Sequence, residues 1–259
     1  MSNRLPSLVL LGVESPVASL ELTIEFAARR REERAVKAIN DMVHTFIRAG
    51  EHGGYSVPQL APDQSRLTFV SGPKLLAPRL AFELEAHHVD RRAFQVLRNM
   101  AARLEMERIE VGRITVRELR EGNLRQDMLP EPDDDNEYDV YPEPSSQLSF
   151  VVDWVDTSFS KMRRCLVELR RPPKPSDVLD MANLVESWSH ILEAGGFAMP
   201  LYLPDEIDSF GGPVSQFDEV TIEIVASHFM ASETAWFVLV NLLDTYSRSA
   251  VRVATVSVE

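Results

Sequence analysis

Polar and apolar residues alternate without a break from Leu20 to Phe26. Leu20, Leu22, Ile24 and Phe26 fall on one side, and Glu21, Thr23 and Glu25 on the other. A period of two is that of a β-strand with one buried and one wetted face. Ahead of it, Leu8–Val13 is a continuous apolar run that predicts a short buried strand. After Arg29-Arg30-Arg31 the period changes. Val36, Ile39, Val43, Phe46 and Ile47 recur at three- and four-residue steps, the stripe of an amphipathic helix. Glu32 and Glu33 fall in its first turn, where carboxylates complement the helix dipole, and Gly50 is read as its stop. Tyr55-Ser56-Val57 predicts a further strand cut short by Pro58, and Leu67–Val70 another before a turn at Ser71-Gly72-Pro73. Leu80–Ala86 alternates again, and Asp90 is placed to cap a second helix that carries Phe94, Leu97, Met100 and Leu104. The β-branched run Ile109–Val116 predicts a closing strand.

The second half of the chain repeats this order. Gly72-Pro73 returns as Gly212-Pro213, and the run from Leu80 to His88 returns as Val220 to His228, both 140 positions on. With a two-residue shift, Ala93–Met100 faces Ala235–Leu242. The first helix returns at an offset of 145, with Met181, Leu184, Trp188, Ile191 and Leu192 on the positions of Val36, Ile39, Val43, Phe46 and Ile47. Ser176 or Asp177 is the expected cap of that helix, and Phe197–Pro200 echoes Tyr55–Pro58.

An internal duplication follows from these matches. Each copy reads strand, strand, helix, strand, strand, helix, strand, and without its first strand it is βαββαβ. That order is similar to the split-βαβ or ferredoxin-like unit. The fold expected is α+β, with two tandem ferredoxin-like lobes, an extra N-terminal strand on each, and helices on one face of antiparallel sheets. The lobes are expected at residues 1–120 and 148–259.

Between them, at 121–147, the periodicity stops. Glu131-Pro132-Asp133-Asp134-Asp135-Asn136-Glu137-Tyr138-Asp139 holds no basic residue, and Pro130, Pro132, Pro142 and Pro144 punctuate it. Such composition predicts a flexible acidic connector. It is also the place where a basic protein partner would be met, by Asp133, Asp134, Asp135, Glu137, Asp139 and the flanking Tyr138 and Tyr141.

The chain of 259 residues carries 27 Lys and Arg against 40 Asp and Glu, a net charge of −13. That surplus argues against nucleic acid, whose affinity rests on neutralised phosphates, and against anionic membranes. The Leu8–Val13 run is too short, with too few basic residues before it, to read as a secretion signal. No apolar stretch approaches the ~20 residues of a membrane span. One cysteine, Cys165, excludes an intrachain disulfide, so the expected location is the cytoplasm.

No P-loop, no G-x-G-x-x-G and no nucleophile motif is present, and no catalytic residue, cofactor or metal is expected. The repeated polar pairs Glu83/Glu223 and His88/His228 remain. If the two sheets faced one another, Glu21, Glu25, Glu83 and Glu223 would line a shared cavity, where clustered carboxylates raise one another's pKa. Against this stands the simpler account, outward glutamates on one-sided sheets. Cys165 reads as a small buried hydrophobe, and Arg29–Arg31 and Arg170-Arg171 as partners of nearby carboxylates. A non-enzymatic protein-binding module, such as an inhibitor or immunity-type protein, is the leading expectation. A small-molecule sensor with a site between the lobes and an enzyme using the paired Glu and His residues are the alternatives.

Overall fold

The structure is a computed structural model that describes residues 5–13, 15–28, 32–76, 78–119, 144–155, 162–198, 208–229 and 231–259. Among them the chain is mixed α+β, with two five-stranded sheets and four helices. The first half holds β1 (Ser7–Leu11), β2 (Val17–Ala28), α1 (Glu32–Glu51), β3 (Arg66–Leu76), β4 (Arg79–His87), α2 (Phe94–Arg103) and β5 (Ile109–Glu118). The second holds β6 (Val151–Trp154), β7 (Met162–Leu169), α3 (Pro175–Glu193), β8 (Asp208–Gln216), β9 (Thr221–Phe229), α4 (Thr234–Ser249) and β10 (Val253–Val258). The sheet orders are β1-β5-β2-β4-β3 and β6-β10-β7-β9-β8, so each strand of one half has a counterpart in the same place in the other.

The sequence predicts antiparallel sheets, but each sheet contains one parallel pair. β1 pairs parallel with β5, and β6 parallel with β10. Chain direction explains this. The chain reverses between β1 and β2 but skips one position, and β5 then enters the gap antiparallel to β2, which makes it parallel to β1.

Two predicted strands and two predicted turns also move. Tyr55–Val57 is not a strand, and only Ser56 makes a bridge, to Val89; Ala198 makes the matching bridge to Ala231. Gly72-Pro73 lies inside β3 and Gly212-Pro213 inside β8, each where the ladder to the neighbouring strand shifts register. Both are edge strands, the one place in a sheet where proline's missing N–H costs no ladder bond. Gly50 does not end α1, which runs on to Glu51; the left-handed residue beyond it is Gly53, at φ 76°, with Gly195 at φ 69° after α3. The first residue of α3 is Pro175, so its cap position falls on Lys174. Asp177 instead reaches back from the third helical position to the Lys174 N–H at 2.7 Å.

Leu20, Leu22, Ile24, Leu80, Phe82 and Leu84 of the first sheet are buried under α1 and α2, against Ile39, Val43, Phe46, Ile47, Leu97 and Met100. Each such fully buried side chain contributes ~1.5–3 kcal/mol relative to exposure. In the second half Cys165, Val167, Ile222 and Ile224 lie under Met181, Trp188, Ile191 and Leu192. α4 is buried almost all round, because it faces its own sheet on one side and the first half of the chain on the other.

The halves join through a reciprocal contact. Asn99 of α2 donates to the carbonyls of Gly196 and Ala198, at 3.2 and 3.3 Å. Asn241 of α4 donates to the carbonyl of Gly54, at 3.3 Å. Each glycine makes room for the opposing helix. A Cβ on Gly196 would stand 2.9 Å from Val96 and 3.0 Å from Met100, and one on Gly54 3.1 Å from Val238 and 3.3 Å from Leu242. All four of these contacts cross between the halves, and α1 also packs against α3.

Gly196→Ala tests how tightly the seam is packed, since the new methyl would also lie 2.6 Å from Ile191. The expected result is a loss of ~1–3 kcal/mol, read as a lower urea midpoint at unchanged m-value. An unaltered midpoint would show a seam that yields.

Candidate functional site

The residues singled out by the repeat sit on the outer faces of the sheets. In β4 the helix-facing positions are Leu80, Phe82, Leu84 and Ala86, so the pleat turns Glu83 and Glu85 the other way. Glu83 pairs across with Glu21 of β2, and Glu223 with Leu166 of β7, so the two glutamates do occupy corresponding places in their sheets. The halves, however, meet on the helix side of each sheet. Glu83 and Glu223 therefore point away from one another, and the shared cavity expected from facing sheets is not formed.

Each carboxylate meets a cation instead, and Glu223 shares Arg164 with Glu259. Glu83 accepts from Lys74 at 2.5 Å and from Ser71 at 2.8 Å. Those two bonds, with the Lys74 charge, hold the Glu83 carboxyl below its usual value. A general acid needs the opposite shift. Glu21 pairs with Arg117, Glu25 with Arg79 at 3.2 Å, and Glu223 lies 3.6 Å from Arg164. The outer face of the first sheet is thus a ladder of exposed or half-exposed ion pairs, which water screens and which add little to stability.

The histidines do not keep equivalent places. His88 lies beyond the end of β4 in the left-handed region, at φ 50°; its N–H donates to Pro16 and its carbonyl accepts from Val57. His228 lies within β9, paired with Ser209. The two-residue shift in the repeat opens here, since Val89 and Ala231 make the matching bridges. Asp133, Asp134, Asp135, Glu137, Tyr138, Asp139 and Tyr141 lie outside the described residues, as do Arg29–Arg31. Among the described residues no group of three His, Cys, Asp or Glu side chains could hold a metal ion. Arg171 does meet an acidic neighbour, Asp177, at 2.7 Å.

The polar groups that the structure does bring together lie at the seam. Asn241 accepts the Ser145 N–H at 3.1 Å while it donates to Gly54. Asp244, fully buried, accepts the Ser149 N–H and the Arg248 guanidinium. On the other side of the same segment Ser145 and Ser146 donate to the carbonyls of Leu60 and Pro58, and Gln147 to that of Gln59. Residues 145–149 are therefore a strap, bonded to the 58–60 loop of the first half and to α4 of the second. The recurrence of asparagine at 99 and 241, amid apolar helix positions, was the one signal of this in the sequence. Asp244 and Arg163 carried none. Arg163 is buried, is paired with Glu233 at 2.8 Å and lies 5.4 Å over the Trp236 ring.

The described surface also has an open cleft of about 470 Å³ between α1 and β3, lined by Glu32, Glu33, Val36, Lys37, Asn40, Pro73 and Leu75. It lies within the first half, not between the halves.

Known proteins add little to this geometry. No protein-family model matches the chain, and no curated protein matches it. Among solved structures, a protease from Helicobacter pylori aligns over 94% of this chain and 78% of its own at 10% identity, TM-score 0.23. Chlorite dismutase from Candidatus Nitrospira defluvii aligns over 93% and 85% at 11% identity, TM-score 0.22. A dye-decolorizing protein from V. cholerae aligns over 92% of both chains at 10% identity, TM-score 0.23. At those scores the likeness assigns neither fold nor activity to this chain. No described helix is long and apolar enough to cross a membrane.

Burial pushes the Cys165 thiol up to about 12, so it is not a nucleophile at neutral pH. The folded protein is expected to leave a thiol reagent unconsumed at pH 8 and to react once unfolded in urea. Rapid modification of the native chain would show that β7 opens.

A second expectation concerns acid. Bonds from Arg171 and from the Lys174 N–H hold the Asp177 carboxyl below its usual value. A depressed folded pKa adds stability above the unfolded pKa and loses it as pH falls through the folded one. Asp177→Asn should therefore be less stable than the parent at pH 7, and the gap should close as pH falls below about 4. Urea midpoints at both pH values measure it, and a gap independent of pH would assign the effect to packing.

Proposed function

We propose that this protein is a non-enzymatic binding module that covers a basic protein partner with an acidic surface, as a cytoplasmic inhibitor or immunity-type protein does. The observation that carries this reading is how the acidic segment is tethered. At its near end the Leu119 N–H donates to Ser19 at 2.7 Å; at its far end Ser145 is bonded to Leu60 and Asn241. The chain between those anchors holds Asp133, Asp134, Asp135, Glu137 and Asp139, with Tyr138 and Tyr141 beside them. Many described arginines are already paired with carboxylates of the body, so the net charge of −13 finds its densest expression in that segment. Fixing both ends lowers the ordering cost of laying it on a partner. The engaged state of Glu21, Glu25 and Glu83 supports binding over acid–base chemistry at the sheets.

The same reading takes the halves as two lobes, 1–120 and 148–259, descended from one duplicated ferredoxin-like βαββαβ unit with an added N-terminal strand. Supporting it are the matched strand orders and the reciprocal placing of Asn99 and Asn241.

To test the function, a partner captured on the immobilised full-length protein is identified, purified and returned to the parent protein and to the triple variant Asp133→Lys, Asp134→Lys, Asp135→Lys. Affinity is expected to fall at least about tenfold, ~1.4 kcal/mol, with a shallower dependence on salt. Equal affinity and equal salt dependence would overturn the reading.

A further inference from the structure

Among the described residues each sheet has two edge strands, and two of the four edges are blunted by their sequence. β3 and β8 carry Gly-Pro and shift register against their neighbours, a device that keeps an edge from accepting another strand. β1, like β6, pairs without a shift and holds no Lys, Pro or Gly, but its apolar side chains are covered: only Ser7 is exposed, and Leu8 and Leu10 pack on the core. Among the described residues β6 alone joins an unblunted edge to exposed apolar side chains. It pairs with β10 without a shift, contains no Lys, Pro or Gly, and leaves Val151 63% and Trp154 42% exposed, with Val155 just beyond it 44% exposed. The Val155 N–H donates to Val258 of β10, at 2.9 Å. Alternation along a strand then turns the N–H and C=O of Val152 and Trp154 to the open edge. Trp154 stands edge-on to Phe237 of α4, ring centroids 5.4 Å apart, a rigid aromatic pair of the kind that anchors interfaces. Between the apolar residues Asp153 is exposed and forms no ion pair among the described residues.

We propose that the open edge of β6 receives an extended basic segment of the protein partner by strand addition, anchored on Trp154 and Phe237. This rests on the binding role proposed above and names where the partner docks. Main-chain bonds to Val152 and Trp154 supply the register, and an alternating sequence places apolar groups on the Trp154 side and a cation beside Asp153. The chain's surplus of negative charge selects a basic strand over an acidic one.

Trp188 and Trp236 are fully buried, so Trp154 alone of the three tryptophans reports to a quencher in solvent. The probe is a synthetic octapeptide of alternating lysine and valine, added to the full-length protein at low salt. Saturation is expected to cut acrylamide quenching by about half or more, as the added strand covers Trp154. Val152→Pro removes only an outward N–H, the kind of proline an edge strand tolerates, and should weaken the peptide at least about tenfold. Asp153→Lys should do the same, with circular dichroism confirming that both variants fold. Unchanged quenching at saturation, equal affinity in Val152→Pro, or no binding at about 1 mM peptide would overturn the proposal. So would a dimer of the parent chain in sedimentation that Val152→Pro dissolves, since the edge would then belong to a second copy. The two readings separate cleanly. Loss of the captured partner in the triple-lysine variant but not in Val152→Pro leaves the acidic segment standing and removes the edge; the converse keeps the edge and removes the segment.

Discussion

Two asparagines hold the halves of this molecule in one arrangement. Asn99 and Asn241 are buried on α2 and α4, and each finds its acceptors on the opposite half. A single such bond adds only ~0.5–1.5 kcal/mol, but an asparagine left unpaired in the seam would cost ~1–3 kcal/mol. The contact therefore discriminates more than it stabilises. A slide of one half against the other would strand two amides, so the polar pair favours this register of the seam. The glycines at 54 and 196 are its other half, because only a residue without a Cβ lets the helix approach that closely.

Much else follows from where that seam lies. Helices α2 and α4 are buried between the sheets, so both outer sheet faces look to solvent, and the glutamates there are paired with Lys74, Arg79, Arg117 and Arg164. The strap at residues 145–149 ties the same seam to the end of the acidic segment, so the part of the chain that differs between the halves is held against the part that joins them.

The periodicities were a good guide wherever a residue's environment is set by its immediate neighbours. The alternation of Leu20–Phe26 and Leu80–Ala86, and the stripe from Ile39 to Ile47, reappear as buried faces, because a pleat or a helical turn fixes direction locally. Punctuation was a poorer guide. Gly72-Pro73 and Gly212-Pro213 read as turns but lie in edge strands, where the ladder has no second neighbour to satisfy. Gly50 read as a helix stop, but its small size serves packing: a Cβ there would stand 2.6 Å from that of Leu67. His88 and His228 matched in sequence yet differ in place, since one is a left-handed corner and the other a strand residue.

The sequence by itself determined the main strands and helices, their order, the matching of one half to the other, and the excess of negative charge. These depend on spacing and composition, which a linear chain displays. Only the tertiary structure decided which faces of the two sheets would meet. Alternation says that Glu83 and Leu84 point opposite ways, but either face could turn toward the other half. The choice rests on contacts between Asn99 and Gly196 and between Asn241 and Gly54, pairs about a hundred or more residues apart. It also decided which edge strand would leave its apolar side chains exposed, because cover over an edge depends on neighbours that the order along the chain does not name.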